Sequence, residues 1–331
     1  MNSRISTLPL FGLLTILSLT TIAISLKWGS ISITWPELLA LLGDNDGSPL
    51  AMILWEHRLP RAYTAFITGA LLAISGVLMQ ALLRNPLADP YILGVSGGAS
   101  VGALFVMWMG WQAWTINGGA ITGALCATFL VFGLVQSRRD WTPTKLLLTG
   151  VVLAAAWGAV ISLFLALAPD TTTKNMLFWL IGDLSFSTLS LWPTLVLVTL
   201  LAVTVPLARH INMLMLGELQ AQSLGVSTKA LRVSLYFAAS LATAAAVSIA
   251  GGIGFVGLII PHILRLLIGS DHRLLLPASA LAGGILLVIA DTLSRTLLAP
   301  IQLPAGIFTA FLGVPVFLYL LLFRYERRAN P

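Results

Sequence analysis

Few groups in the sequence could do bond chemistry, and each stands in the wrong setting. Gly252-Ile253-Gly254-Phe255-Val256-Gly257 matches the glycine spacing of a dinucleotide-binding loop. Such a loop must join a strand to a helix, with an acidic residue about 20 positions on to hold the ribose. Here the glycines follow an apolar helical span and Pro261 arrives at once. Gly94-Val95-Ser96-Gly97-Gly98 has the letters of a nucleophile elbow, which needs a strand-turn-helix setting with histidine and acid partners. The four histidines, His57, His210, His262 and His272, show no metal-ligand spacing, and no G-x-x-x-x-G-K-[ST] phosphate loop occurs. The sequence predicts no catalytic group, no metal and no cofactor bound by this chain.

Recognition chemistry is better represented. Arg58 and Arg61 are three apart and share a helix face if that turn is helical; Arg295 lies four residues after Asp291. A guanidinium fork pairs bidentately with carboxylates. Interface anchoring, and an Asp291–Arg295 pair, are the structural alternatives. Asp291 facing lipid at mid-helix would cost about 2.5–3.5 kcal/mol, so it is expected to face the bundle. A proton path through it lacks the accompanying chain of acids. Between Gly217 and Gly225 a short helix-compatible stretch carries Glu218 at its start and Leu216, Leu219 and Leu224 about it. A carboxylate there complements the helix dipole; an interfacial helix resting on lipid is the alternative. Asn85-Pro86 and Thr142-Pro143-Thr144 break the chain at the ends of apolar spans, as gate residues or as helix caps.

The elements that must position these groups follow from composition. Of 331 residues, 58% are hydrophobic and only 9% charged, with a mean hydropathy of +0.96. Soluble domains carry roughly 25% charged residues, so a soluble enzyme, a disulfide scaffold and a disordered tail are all excluded. At about 20 apolar residues per crossing, the chain reads as an all-α integral membrane protein, one transmembrane domain over residues 1–331. The net charge of +6 is topogenic and does not indicate nucleic acid. The single cysteine, Cys126, allows no intrachain disulfide.

Apolar runs predict about ten spans: 8–27, 61–82, 92–110, 114–136, 145–168, 189–207, 232–250, a short one at 253–268, 275–294 and 304–323. The first is long for a signal sequence and lacks a cleavage site, so it reads as an uncleaved helix. With the amino terminus inside, only Lys27, Arg58, Arg61, Lys174 and Arg295 of the 18 basic residues fall outside. Basic loops resist translocation, so both termini are expected to be cytoplasmic. Residues 28–60 form an outer loop in which Thr34-Trp35-Pro36-Glu37 opens a short interfacial helix ending at Gly43. A second outer excursion covers 169–188, and the longest inner segment is 208–231. Gly98-x-x-x-Gly102 and Gly119-x-x-x-Gly123 promise close helix packing.

Four blocks recur in order: Arg58-Leu-Pro60-Arg61 with Gly69-Ala70 and Ser75-Gly76; Arg84-Asn85-Pro86-Leu87-Ala88-Asp89-Pro90 with Gly94-Val95-Ser96-Gly97-Gly98; Leu216-Gly217-Glu218 with Ala221 and Leu224-Gly225; and Gly254-Phe255-Val256-Gly257 through Pro261-His262, Asp271-His272-Arg273 and Pro304-Ala305-Gly306. Together, along nearly the whole chain, they resemble the membrane subunits of bacterial ABC importers for ferric siderophores, haem and vitamin B12. Ala305 departs from the usual valine or isoleucine.

The resemblance implies a dimeric permease of the bacterial inner membrane. A second copy or a paralogue would pair with it. Two cytoplasmic ATPase subunits would supply ATP and magnesium chemistry. An extracytoplasmic binding protein would deliver a metal chelate, a ferric siderophore first, then vitamin B12 or haem. It also assigns roles. Gly217, Glu218, Ala221, Leu224 and Gly225 become an ATPase-coupling element within about 208–231. Arg58, Arg61 and Arg295 become docking points for the binding protein's carboxylates. Asn85, Thr142 and Thr144 fall near the cytoplasmic gate. An ion-coupled secondary transporter is the rival of another class, and it predicts charged residues at broken helices near the midplane, which are sparse.

Overall fold

In a computed structural model the chain is helical throughout, with no strand among the described residues. The structure describes residues 7–44, 47–112, 114–136, 142–185 and 187–329, and side chains among them from Pro9 to Tyr319. Of the inner basic set, Arg4, Arg138 and Arg139 lie outside these residues, as do the side chains of Arg324, Arg327 and Arg328.

The chain runs through α1 (Thr7–Lys27), α2 (Trp35–Gly43), α3 (Pro49–Met52), a π-helical turn (Ile53–Arg58), α4 (Leu59–Leu82), a 3-10 turn (Pro90–Leu93), α5 (Val95–Trp108), α6 (Trp114–Gln136) and α7 (Pro143–Leu167). It continues through α8 (Asp170–Ile181), α9 (Trp192–Leu216), α10 (Glu218–Ser223), α11 (Thr228–Ala250), α12 (Val256–Ile268), α13 (His272–Thr296) and α14 (Ala305–Ala329). Among the described residues seven helices are long and apolar enough to cross a membrane: α1, the rod from Pro49 to Leu82, α6, α7, α9, α11 and α13. Shorter apolar helices are α5, α12 and the Ala305–Tyr319 part of α14.

The rod ending in α4 is the axis. Nearly every residue from Pro60 to Leu82 is buried, packed by α13, α11, α12 and α9. Glycines make this approach possible. A Cβ on Gly76 would stand 1.8 Å from the Gly257 carbonyl oxygen, and one on Gly69 would stand 2.2 Å from that of Gly283. Close backbone contact of this kind is how helices pack without a hydrophobic driving force between them. By contrast, α7 lies at the rim and buries only Leu146 and Gly150.

Three boundaries differ from expectation. The 28–60 loop contains α2 as foreseen, with the Glu37 carboxylate accepting from the Thr34 backbone N–H at 2.8 Å. That bond and a second from the Thr34 hydroxyl at 2.7 Å hold the Glu37 carboxyl below its usual range. The central helix, however, begins at Pro49, capped by the Ser48 hydroxyl, and not at residue 61. Pro60 cannot donate to a preceding carbonyl, and the π turn just before it absorbs the mismatch. The 169–188 excursion is largely the helix α8. Its threonine run and its length of 12 residues hid it, and burial of Met176 holds it. Residues 208–216, read as leaving the membrane, continue α9 past Pro206, because Ala208, Ile211 and Leu214 keep a buried stripe.

Candidate functional site

At the end of the bundle where α9 stops, Gly217 takes φ 128°, a conformation that favours glycine, and turns the chain sharply into α10. Gly225, at φ 83°, closes the other side. The short helix expected between two glycines is therefore present, over Glu218–Ser223. Ala221 is wholly buried and seats the helix; Leu216, Leu219 and Leu224 stand out, Leu219 at 82% exposure. The result is an apolar knuckle projecting from one end of the protein.

Glu218 does more than complement a helix dipole. Its carboxylate pairs with Arg232 of α11 at 2.8 Å and accepts from the Thr228 hydroxyl at 3.4 Å, while the Gln222 amide donates to the same hydroxyl at 3.1 Å. The knuckle is pinned to α11 at its base and hinged on α9 by glycine. Sequence reasoning missed Arg232, since nothing in spacing points from residue 218 to 232.

A buried charge cluster occupies the opposite end of α13. Arg58, Arg61 and Arg295 are all brought together there, exposed by only 4–6%. Arg61 Nε donates to Asp291 Oδ1 at 2.8 Å, and its Nη1 reaches Gln302 at 2.8 Å and Ser185 at 3.3 Å. Arg295 lies 3.1 Å from the other Asp291 oxygen, the i,i+4 pair foreseen from sequence, and donates to Ser25 of α1. Arg58, turned inward at the π turn, donates to the carbonyls of Leu26 and Lys27 at the end of α1 and of Ile31 just beyond it. Two guanidinium groups thus share one carboxylate, and a third, Arg58, is buried close enough to Arg295 to feel its charge, an excess of positive charge held inside. Asp291 faces the bundle, fully buried.

The three residues expected at a gate sit at helix ends. Asn85 is exposed and its side-chain oxygen accepts from Leu87 N–H at 3.0 Å. Thr142 is the N-cap of α7, accepting from Lys145 N–H at 3.3 Å, and Thr144 follows, exposed, in the first turn. The glycine run resembling a dinucleotide loop is the irregular link from α11 to α12, where the Ile253 carbonyl accepts from the Tyr91 hydroxyl at 2.8 Å. Among the described residues no group of three or more His, Cys, Asp or Glu could hold a metal.

Residues 15–323 match the model of the FecCD transport family. The haemin transport system permease protein HmuU of Yersinia pestis is 36% identical over 339 residues, covering 100% of both chains. The vitamin B12 import system permease protein BtuC of Klebsiella pneumoniae is 38% identical over 317 residues, covering 95% of this chain and 93% of that one. A solved structure described as an inward-facing metal-chelate type ABC transporter superimposes with a TM-score of 0.85. It shares 32% identity and covers 94% of this chain and 98% of its own.

Proposed function

The chain belongs to the FecCD transport family, and we propose that it is the multi-pass permease subunit of a binding-protein-dependent ABC importer for a metal chelate. The knuckle carries the proposal. Leu216, Leu219 and Leu224 form a small apolar surface outside the long spans, seated by Ala221, flanked by Gly217 and Gly225 and anchored by Glu218. Such a surface fits a cleft of an ATPase subunit. Movement of that cleft during ATP binding and hydrolysis then rocks α9 and α11 together.

In this arrangement both termini lie in the cytoplasm, ten helices cross the membrane, and the chain pairs with a second copy or a paralogue around the substrate path. Two ATPase subunits, carrying ATP and magnesium, dock at the knuckles. An extracytoplasmic binding protein docks at the end that holds Arg58, Arg61 and Arg295. The positive excess of that cluster supplies a field for acidic lobes, and a partner carboxylate takes over bonds now made to Asp291 and to backbone carbonyls. Asn85, Thr142 and Thr144 line the cytoplasmic end of the path. The names of the relatives support a bulky metal chelate as cargo, and a ferric siderophore is the first candidate, ahead of vitamin B12 and haem.

The test is reconstitution. The chain is purified with its ATPase and binding protein and placed in liposomes, and uptake of a ferric hydroxamate siderophore, cyanocobalamin and haemin is measured with and without ATP. ATP-dependent uptake of one of the three is expected. Uphill uptake on an ion gradient without any ATPase would overturn the assignment.

A further inference from the structure

The turn between α12 and α13 holds a partly buried polar contact that neither the knuckle nor the arginine cluster accounts for. Asn212 sits on the last turns of α9, five residues before the Gly217 hinge. Its Nδ2 donates to Asp271 Oδ1 at 2.8 Å. Its Oδ1 accepts from the His272 backbone N–H at 3.0 Å and lies 2.7 Å from His272 Nδ1. The amide has one workable orientation, because flipping it would set an oxygen against the carboxylate and an NH2 against two donors. That fixes the proton on His272 Nδ1.

Both partners belong to the first turn of α13. Asp271 is its N-cap, accepting from Arg273 N–H at 3.0 Å, and His272 is 1% exposed. Asn212 therefore holds a helix end: its bond to Asp271 is exposed to solvent, while its bonds to His272 are partly buried, and an unmade bond costs more on the buried side. From that grip α13 continues as one helix to Asp291, about 28 Å at 1.5 Å per residue, with Pro277 removing one backbone hydrogen bond near its start, and Asp291 holds Arg61 of α4 and Arg295. The other attachment of the knuckle, Glu218 to Arg232, leads to α11 and not to α13.

We propose that Asn212 is the positioning residue that ties the knuckle to α13, so that displacement of α10 is passed along α13 as a rigid shift to the arginine cluster at its far end. The inference rests on the permease assignment above. It adds the route by which power applied at one face reaches the face where the binding protein docks. Bonds of this kind suit the task because they are short and directional, and one of the three reaches the backbone N–H of His272 itself.

The experiment uses the full complex of chain, ATPase and binding protein in liposomes, with native chain, Asn212→Ala, and the paired exchange Asn212→Asp with Asp271→Asn. The exchange keeps the net charge and restores the bond between residues 212 and 271 with its direction reversed, at the expense of the bond that Asp271 Oδ1 accepts from the Arg273 N–H. Assembly, ATP hydrolysis with and without binding protein, and uptake of whichever of ferric hydroxamate siderophore, cyanocobalamin and haemin the native complex transports are all read. Asn212→Ala is expected to assemble and to keep hydrolysis without binding protein within about twofold. Uptake per ATP and stimulation by binding protein should each fall about tenfold, the loss of three hydrogen bonds including one to a carboxylate. The paired exchange is expected to recover both to within about threefold.

Uptake per ATP unchanged in Asn212→Ala overturns the inference. So does an exchange variant that assembles and stays uncoupled. If Asn212→Ala does not assemble, the exchange variant decides by the same two readings. Failure of the native complex to use ATP at all would instead strike the permease assignment, and it is read in a separate arm.

Discussion

Arg61 and Asp291, 230 residues apart in sequence, form an ion pair of 2.8 Å in which both side chains are almost wholly removed from solvent. The pair joins the first turn of α4 to the last turns of α13. It sits inside a cluster that also holds Arg58 and Arg295, so one carboxylate serves an excess of cations. Burial makes each charge expensive by itself; Gln302 and Ser185 accept from Arg61 Nη1, while Arg61 Nη2 is buried without a hydrogen-bond partner among the described residues, so the pair rests mainly on its own attraction and on that of Arg295.

Removing Asp291 should therefore cost far more than a surface ion pair would. Asp291→Ala leaves Arg61 and Arg295 buried without a counter-charge, and a loss of about 3–5 kcal/mol is expected. Arg58→Lys should cost less but still register, since a single ammonium cannot reach the three carbonyls at and just beyond the end of α1. Chemical unfolding of the purified protein in detergent measures both. A change below about 1 kcal/mol for Asp291→Ala, the range of exposed pairs, would show that the cluster is wetter than its burial indicates.

How much of this was legible depended on reach along the chain. The short helix after Thr34, the knuckle between Gly217 and Gly225, and the Asp291–Arg295 pair are all written within about ten residues of sequence, as caps, breakers or an i,i+4 spacing. The Arg61–Asp291 bond, the Arg232 partner of Glu218 and the Asn212 grip on α13 join distant segments, and no local pattern names them. Where propensity and packing disagreed, packing won. Pro206 and the polar residues after it read as an exit from the membrane, yet the stripe of Ala208, Ile211 and Leu214 carries the helix on. Charge type was legible at Arg58, Arg61 and Arg295, whereas their burial was not, because the π turn that turns Arg58 inward has no sequence signature.

Two substitutions separate the knuckle's surface from its anchor. Leu219→Asp alters a side chain that touches solvent and leaves the Glu218–Arg232 pair intact, so folding should be unchanged while ATPase association, measured by co-purification, falls at least about tenfold. Glu218→Lys sets two cations against each other at the base of the knuckle. It should abolish transport and loosen ATPase association as well, with a lower unfolding midpoint that Leu219→Asp does not show. Equal co-purification of both variants with native protein would remove the knuckle from the ATPase contact.

Glycine positions offer a steric test of the central packing. Gly76→Ala would place a carbon 1.8 Å from the Gly257 carbonyl oxygen, and backbone cannot turn away as a flexible side chain can. A loss of about 1–3 kcal/mol or more is expected, with poor accumulation in the membrane. Gly133→Ala, in α6 with open space about the new carbon, should instead be neutral or stabilising by up to about 1 kcal/mol. Accumulation and thermal midpoint in detergent compare the two directly, and a tolerated Gly76→Ala would mean that α4 and α12 stand further apart.

The start of α13 should respond to acid in a defined direction. Burial pushes the Asp271 carboxyl up, but the Asn212 amide, the Arg273 N–H and the nearby charges of Arg273 and His272 outweigh it and hold the group below its ordinary value. A carboxyl lowered in the folded state stabilises the fold fully above its unfolded value, about 3.9, and ceases to do so as pH falls through the lower, folded one. Asp271→Ala should thus cost about 1 kcal/mol at pH 7 and at pH 5, the usual worth of an N-cap, and the gap between native and variant should close toward pH 3. Unfolding midpoints of the two proteins at the three pH values check this. A gap that stays as large at pH 3 as at pH 7 would mean that the helix end holds the protonated form as well as the carboxylate, contrary to the bonds Asp271 accepts from Asn212 and Arg273.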